Sequence, residues 1–107
     1  MSEVSLSKSD LGKTFHVLKG DSISIRLEEN PTTGYRWVVE AVENQVLELQ
    51  ESSYSASPGA GIGAGGMRTF NFWARFQGTA NLQLNLRREW ESSNAEIDHF
   101  EVIIQVQ

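Results

Sequence analysis

Few residues of this 107-residue chain carry groups that could make or break a covalent bond. It has no cysteine and two histidines, His16 and His99. The hydroxyls of Thr32 and Thr33 become nucleophiles only beside a base, and nothing in the sequence sets either histidine near them. Each histidine reads as a surface or structural side chain. Glu28, Glu29 and Glu40 read as a solvated face rather than an acid–base pair. The run Gly61-Ile62-Gly63-Ala64-Gly65-Gly66 lacks the context of a phosphate-cradling loop, which follows a strand, opens a helix and has a lysine nearby. No spacing of histidines and carboxylates points to a metal. An enzyme is therefore not expected, and no cofactor or metal is called for. The chemistry left to this chain is recognition.

Recognition is best supported at Asn30-Pro31-Thr32-Thr33-Gly34-Tyr35-Arg36-Trp37. Pro31 fixes φ near −65° and has no N–H to donate, and it pushes Asn30 toward extended geometry. Gly34 supplies a backbone angle that other residues avoid. Between these stiff points stand two hydroxyls, while Tyr35 and Trp37 share one face of the strand that follows. An ordinary Pro/Gly turn has the same local chemistry, so the choice between turn and binding loop rests on what surrounds it.

What surrounds it is alternation. Ile23, Ile25 and Leu27 alternate with polar residues, as do Leu82, Leu84 and Leu86; Phe70, Phe72, Ala74 and Phe76 form a third such series, and Phe100, Val102, Ile104 and Val106 a fourth. Period two marks half-buried strands. Weaker strands are expected over 14–18, 35–40 and 46–50. A helix over 39–49 is disfavoured, because Val46, Leu47 and Leu49 match no helical face. About seven short strands separated by turns point to an all-β, immunoglobulin-like antiparallel sandwich, without the cysteine pair of true immunoglobulin domains. At this length it is expected as one domain, residues 1–107, with one modest core. Its 9 basic and 14 acidic residues leave a net charge of −5 with no long run of either sign, which speaks against nucleic-acid and membrane partners. No segment is long enough to span a bilayer, and Met-Ser-Glu-Val-Ser-Leu-Ser at the start has no apolar leader region. Removal of a leader would still allow an exported protein, and a chain without cysteine tolerates either redox environment, so its location stays open. A monomer is expected.

With strands A to G named in order, the connections are A–B at 19–21, B–C at 29–34, C–D at 41–45, D–E at 51–66, E–F at 77–79 and F–G at 88–98. Antiparallel strands reverse direction, so B–C, D–E and F–G share one end. The two longest loops thus join the Asn-Pro-Thr-Thr-Gly loop, and long loops are usually functional or disordered. The glycine-rich D–E loop reads either as a flexible linker or as backbone held close to a partner, where a Cβ would clash. Trp90 reads either as a core tryptophan at a strand end or, beside Arg88, as an interface anchor. Trp37 is expected in the core and Trp73 on a flank.

Together these loops resemble the chagasin family of cysteine peptidase inhibitors. That family carries Asn-Pro-Thr-Thr-Gly-Tyr/Phe, Gly-x-Gly-Gly and Arg-Pro-Trp/Phe in this order. Here they stand as Asn30–Tyr35, Gly63-Ala64-Gly65-Gly66 and Arg88-Glu89-Trp90, and the likeness spans nearly the whole chain. Glu89 departs from the pattern, replacing a proline with a charge. The resemblance implies a sandwich whose three loops enter the active-site cleft of papain-like cysteine peptidases, the clan of papain and cathepsin L, and block it reversibly. It puts Thr32 nearest the target's catalytic thiol and histidine, with Thr33 beside it. Gly65 and Gly66 would run along the substrate cleft, Trp90 would pack on an aromatic surface, and Arg88 would make polar contact. The alternative is a carbohydrate- or protein-binding module that stacks Trp90, Trp73 and Tyr54 against its ligand.

Overall fold

The computed structural model describes residues 3–30, 34–42, 45–56, 65–88 and 98–107. Eight strands form among them: β1 Glu3–Leu6, β2 Thr14–Val17, β3 Ser22–Glu29, β4 Tyr35–Ala41, β5 Leu47–Ala56, β6 Gly66–Ala74, β7 Gly78–Arg88 and β8 Asp98–Val106. They make two four-stranded sheets, ordered β1-β3-β6-β5 and β2-β8-β7-β4. Most inward residues are those picked out by alternation; Phe76 is the exception, because β6 ends at Ala74 and Phe76 lies beyond it, 49% exposed. Ile23, Ile25, Leu27, Phe70 and Phe72 from the first sheet meet Leu82, Leu84, Phe100, Val102 and Ile104 from the second, all at 3% exposure or less. Trp37 completes the core from β4. The result is an immunoglobulin-like sandwich.

Three features depart from the expectation. The sheets are mixed rather than antiparallel, because β1 pairs parallel with β3 and β2 parallel with β8. The first strand, β1, is not among those expected. It is four residues long and joins a partner in parallel, a pairing that leaves no turn signature in the sequence. Between β1 and β2 the chain crosses from one sheet to the other through a 3₁₀ turn at Lys8–Asp10. Asp10 accepts the Ser7 backbone N–H at 2.9 Å, and that bond holds its carboxyl below the usual range. Finally, β5 runs on to Ala56, so Glu51–Ala56 is strand and not loop. A shift in register between Leu49 and Glu51 changes the phase of β5 against β6, and beyond it only Tyr54 is half-buried. An apolar alternation therefore ends at Leu49 although the strand continues as Ser52, Tyr54 and Ala56 opposite Phe70, Arg68 and Gly66.

Candidate protein-binding edge

The strand registers bring the three loop bases to one edge. In the first sheet Glu29, Gly66 and Ala56 form a single rung across β3, β6 and β5, so the B–C and D–E connections leave side by side. In the second sheet Tyr35 faces Arg88 across β4 and β7, and Leu86 faces Asp98 across β7 and β8, which sets the F–G connection next to the B–C one. Because β3 and β4 lie in different sheets, the B–C connection joins the two rows.

Glu29 stitches this edge together. Its Oε1 accepts the Trp37 backbone N–H at 2.7 Å, and the Trp37 indole Nε1–H donates to the Glu28 carbonyl at 2.8 Å. Its Oε2 takes the Arg68 guanidinium at 2.7 and 3.1 Å. Arg68 in turn lies over the Tyr54 ring, 5.6 Å from its centre. The expectation of a solvated Glu29 is thereby corrected: the residue is 3% exposed. Glu29 is in phase with Ile25 and Leu27, and Arg68 with Phe70 and Phe72. Two opposite charges, each in phase with a buried face, are the signal that could have revealed the pair. Glu28 is exposed as expected, and Glu40 is exposed and paired with Arg87 at 2.7 Å.

Of the thirteen site residues read from the sequence, six fall among the described ones. Asn30 and Gly34 flank the B–C tip, Tyr35 opens β4, Gly65 and Gly66 lead into β6, and Arg88 closes β7. All six lie at the common edge. Pro31, Thr32, Thr33, Gly63, Ala64, Glu89 and Trp90 lie outside the described residues. Gly34 has φ +82°, the left-handed region expected of it. Gly34→Ala is expected to cost about 1–2 kcal/mol, the strain of a Cβ at that angle, read by urea denaturation.

The two D–E glycines differ. A Cβ on Gly65 would sit 3.2 Å from the Glu29 carbonyl oxygen, a tight contact between two loop bases. A Cβ on Gly66 would sit 2.2 Å from the Ser55 carbonyl oxygen. Gly66 is therefore demanded by packing within the chain itself, as well as matching a motif.

Among the described residues the edge offers no catalytic pair. His16 pairs in register with Gln105 of β8, and His99 lies on that strand six positions before Gln105 (99 to 105), about 20 Å away at the rise of a strand. Both are exposed. Among the described residues no three His, Asp or Glu side chains gather to hold a metal. Tyr54 and Trp73, the two described aromatics of the alternative reading, do not share a face. Tyr54 is opposite Arg68 on the inward phase of the first sheet, whereas Trp73, 38% exposed, lies on the outward phase.

Residues 16–104 match the family described as Chagasin family peptidase inhibitor I42. Chagasin of Trypanosoma cruzi is 28% identical over 104 residues, covering 94% of each chain. The crystal structure of the cysteine protease inhibitor EhICP2 from Entamoeba histolytica superposes with a TM-score of 0.91 at 24% identity, over 100% of this chain and 97% of that one. PbICP-C, solved in complex with falcipain-2, shares the fold with a TM-score of 0.71 at 14% identity, over 97% and 99% of the two chains. With its strand order, its three motifs in sequence and a family match over most of its length, the chain belongs to the chagasin family of cysteine peptidase inhibitors and is not itself an enzyme.

Proposed function

We propose that this protein is a reversible, competitive inhibitor of papain-like cysteine peptidases, and that it inserts the B–C, D–E and F–G loops as a wedge into the active-site cleft. The observation that carries this reading is the common edge from which the three motif-bearing connections leave. Family membership and the falcipain-2 complex of a protein of the same fold support the partner class. On the motif match, Thr32 sits nearest the catalytic thiol and histidine of the target, with Thr33 beside it; Pro31 and Gly34 hold that tip, and Asn30 and Tyr35 anchor it. Gly63, Ala64, Gly65 and Gly66 run along the cleft, and Arg88, Glu89 and Trp90 cover its far side.

The physics of inhibition requires that the loop occupy the cleft without being cut. Cleavage needs a peptide carbonyl in the oxyanion hole and in near-attack geometry. A B–C tip stiffened by Pro31 and Gly34 presents side chains while withholding that geometry, and stiffness lowers the ordering cost of association. Three loops together suffice for an interface of about 1,600 Å². Glu89, where the family has proline, adds a negative charge at this contact and narrows the choice of target.

Titration against active papain with a fluorogenic peptide, at fixed enzyme, tests the proposal. Reversible loss of activity at one-to-one stoichiometry, relieved by raising substrate, is the expected result. Full activity of both papain and a cathepsin-L-like enzyme at micromolar inhibitor would overturn it.

A further inference from the structure

We infer that the buried Glu29–Arg68 pair is a positioning device for inhibition, which fixes the base of the B–C loop against the base of the D–E loop before the target is met. The inference rests on the wedge reading above and deepens it. Glu29 is the last residue of β3 and immediately precedes Asn30-Pro31; Arg68 lies two residues beyond Gly66. The Glu29 side chain is 1% exposed and that of Arg68 17%. Glu29 Oε1 is shared between the Trp37 N–H and Arg68 Nε at 2.7 and 3.3 Å, and Oε2 binds Arg68 Nη2 and Nε at 2.7 and 3.1 Å. One carboxylate thereby joins β3 and β4 to β6 across the gap between the sheets, and the guanidinium carries the link on to Tyr54 in β5. These four strands supply both ends of the B–C and D–E connections.

Shape alone does not require charge here. A buried ion pair is rarely more stabilising than apolar residues of the same volume, and its best-attested use is to specify one arrangement. A guanidinium gripping a carboxylate through two nitrogens fixes direction as well as distance, whereas an apolar contact permits sliding. Gly65 shows what the fixed distance serves: its Cα passes close enough to the Glu29 carbonyl that even a Cβ would be tight. If the two bases slid apart, the tips would present a mixture of spacings to the cleft. Only the matching fraction would dock, and apparent affinity falls in proportion to that fraction.

The test is the double variant Glu29→Gln/Arg68→Met. The introduced glutamine keeps an acceptor for the Trp37 N–H, the introduced methionine fills the space of the arginine stem, and no unpaired charge is left buried. The double variant is expected to fold, with an unfolding temperature within about 8 °C of the parent. Its association rate with papain is expected to fall by about one decade, within the range that variants of one interface span, and its dissociation rate to change much less. Loss of a direct contact would instead raise the dissociation rate. A folded double variant that associates at the parental rate would overturn the inference. Amide hydrogen exchange in the free protein gives a readout independent of any target: Asn30, Gly65 and Gly66 should exchange faster in the double variant while Phe72 does not. Unchanged exchange at those three amides would overturn the positioning role. A parent protein that fails to inhibit, with faster exchange in the double variant, would instead sink the wedge reading and leave the pair as the lock between the two loop bases.

Discussion

Thr32→Asp is expected to abolish inhibition of papain while leaving the unfolding temperature at the parental value. On the wedge reading, the Thr32 side chain enters the cleft beside the catalytic thiolate and loses its water there. Threonine brings a neutral hydroxyl that gives and accepts hydrogen bonds. Aspartate brings a charge that must be stripped of water and held against another anion, and like-charge juxtaposition at an interface costs several kcal/mol. At about 1.4 kcal/mol per decade this weakens the inhibition constant by roughly a thousandfold. Inserting one glycine between Thr32 and Thr33 should do the same by a different route, because it removes the stiffness set by Pro31 and Gly34. The checks are the inhibition constant, with circular dichroism and thermal unfolding to establish the fold. A folded Thr32→Asp protein that inhibits as well as the parent would show that the B–C tip does not reach the catalytic centre.

Gly66→Ala is expected to cause the largest loss of stability from any single added methyl group at this edge. At an ordinary strand position the change from glycine to alanine stabilises by roughly 0.5–1 kcal/mol, because glycine is the more flexible in the unfolded chain. Here the sign reverses. The new Cβ would lie 2.2 Å from the Ser55 carbonyl oxygen, 2.6 Å from the Tyr54 hydroxyl and 2.8 Å from the Ala56 Cα. The hydroxyl can swing away, but Ser55 and Ala56 are backbone of β5, paired rung by rung with β6. Overpacking usually costs about 1–3 kcal/mol, and an obstacle made of paired backbone puts this case near the top of that range. A loss of about 3 kcal/mol corresponds to a fall in unfolding temperature of about 12–24 °C for a domain of this size. Gly65→Ala, whose nearest neighbour would lie at 3.2 Å, should cost clearly less than Gly66→Ala, because overpacking falls steeply as the overlap shrinks. Equal melting temperatures for the two variants would contradict the close approach of β5 to Gly66.

The contrast between these glycines shows where the sequence stops being informative. Gly65 and Gly66 are neighbours of identical chemistry within one motif, and nothing local separates them. Their difference comes from Ser55 and Ala56, which approach Gly66 from the paired strand. The same limit governs β5. Residues 51–56, Glu-Ser-Ser-Tyr-Ser-Ala, are small and polar enough to read as loop. They form strand because β6 offers a ladder, and because the strand sits at the sheet edge with one side open. Glu29 likewise reads as solvated when judged by its charge instead of its phase, since its partner Arg68 is 39 residues away.

Legible in the residues alone are the all-β class, most of the inward-facing side chains, the angle at Gly34, and the placement of three connections at one end. Period-two alternation and the reversal of direction at each antiparallel turn are local rules, and a chain that obeys them leaves little choice. The parallel pairings of β1 and β2, the length of β5, the need for glycine at 66, and the burial of Glu29 against Arg68 emerge only when the sheets are assembled. Each of these depends on a backbone or a charge brought near by folding, so its energy is set between residues that are distant in the chain.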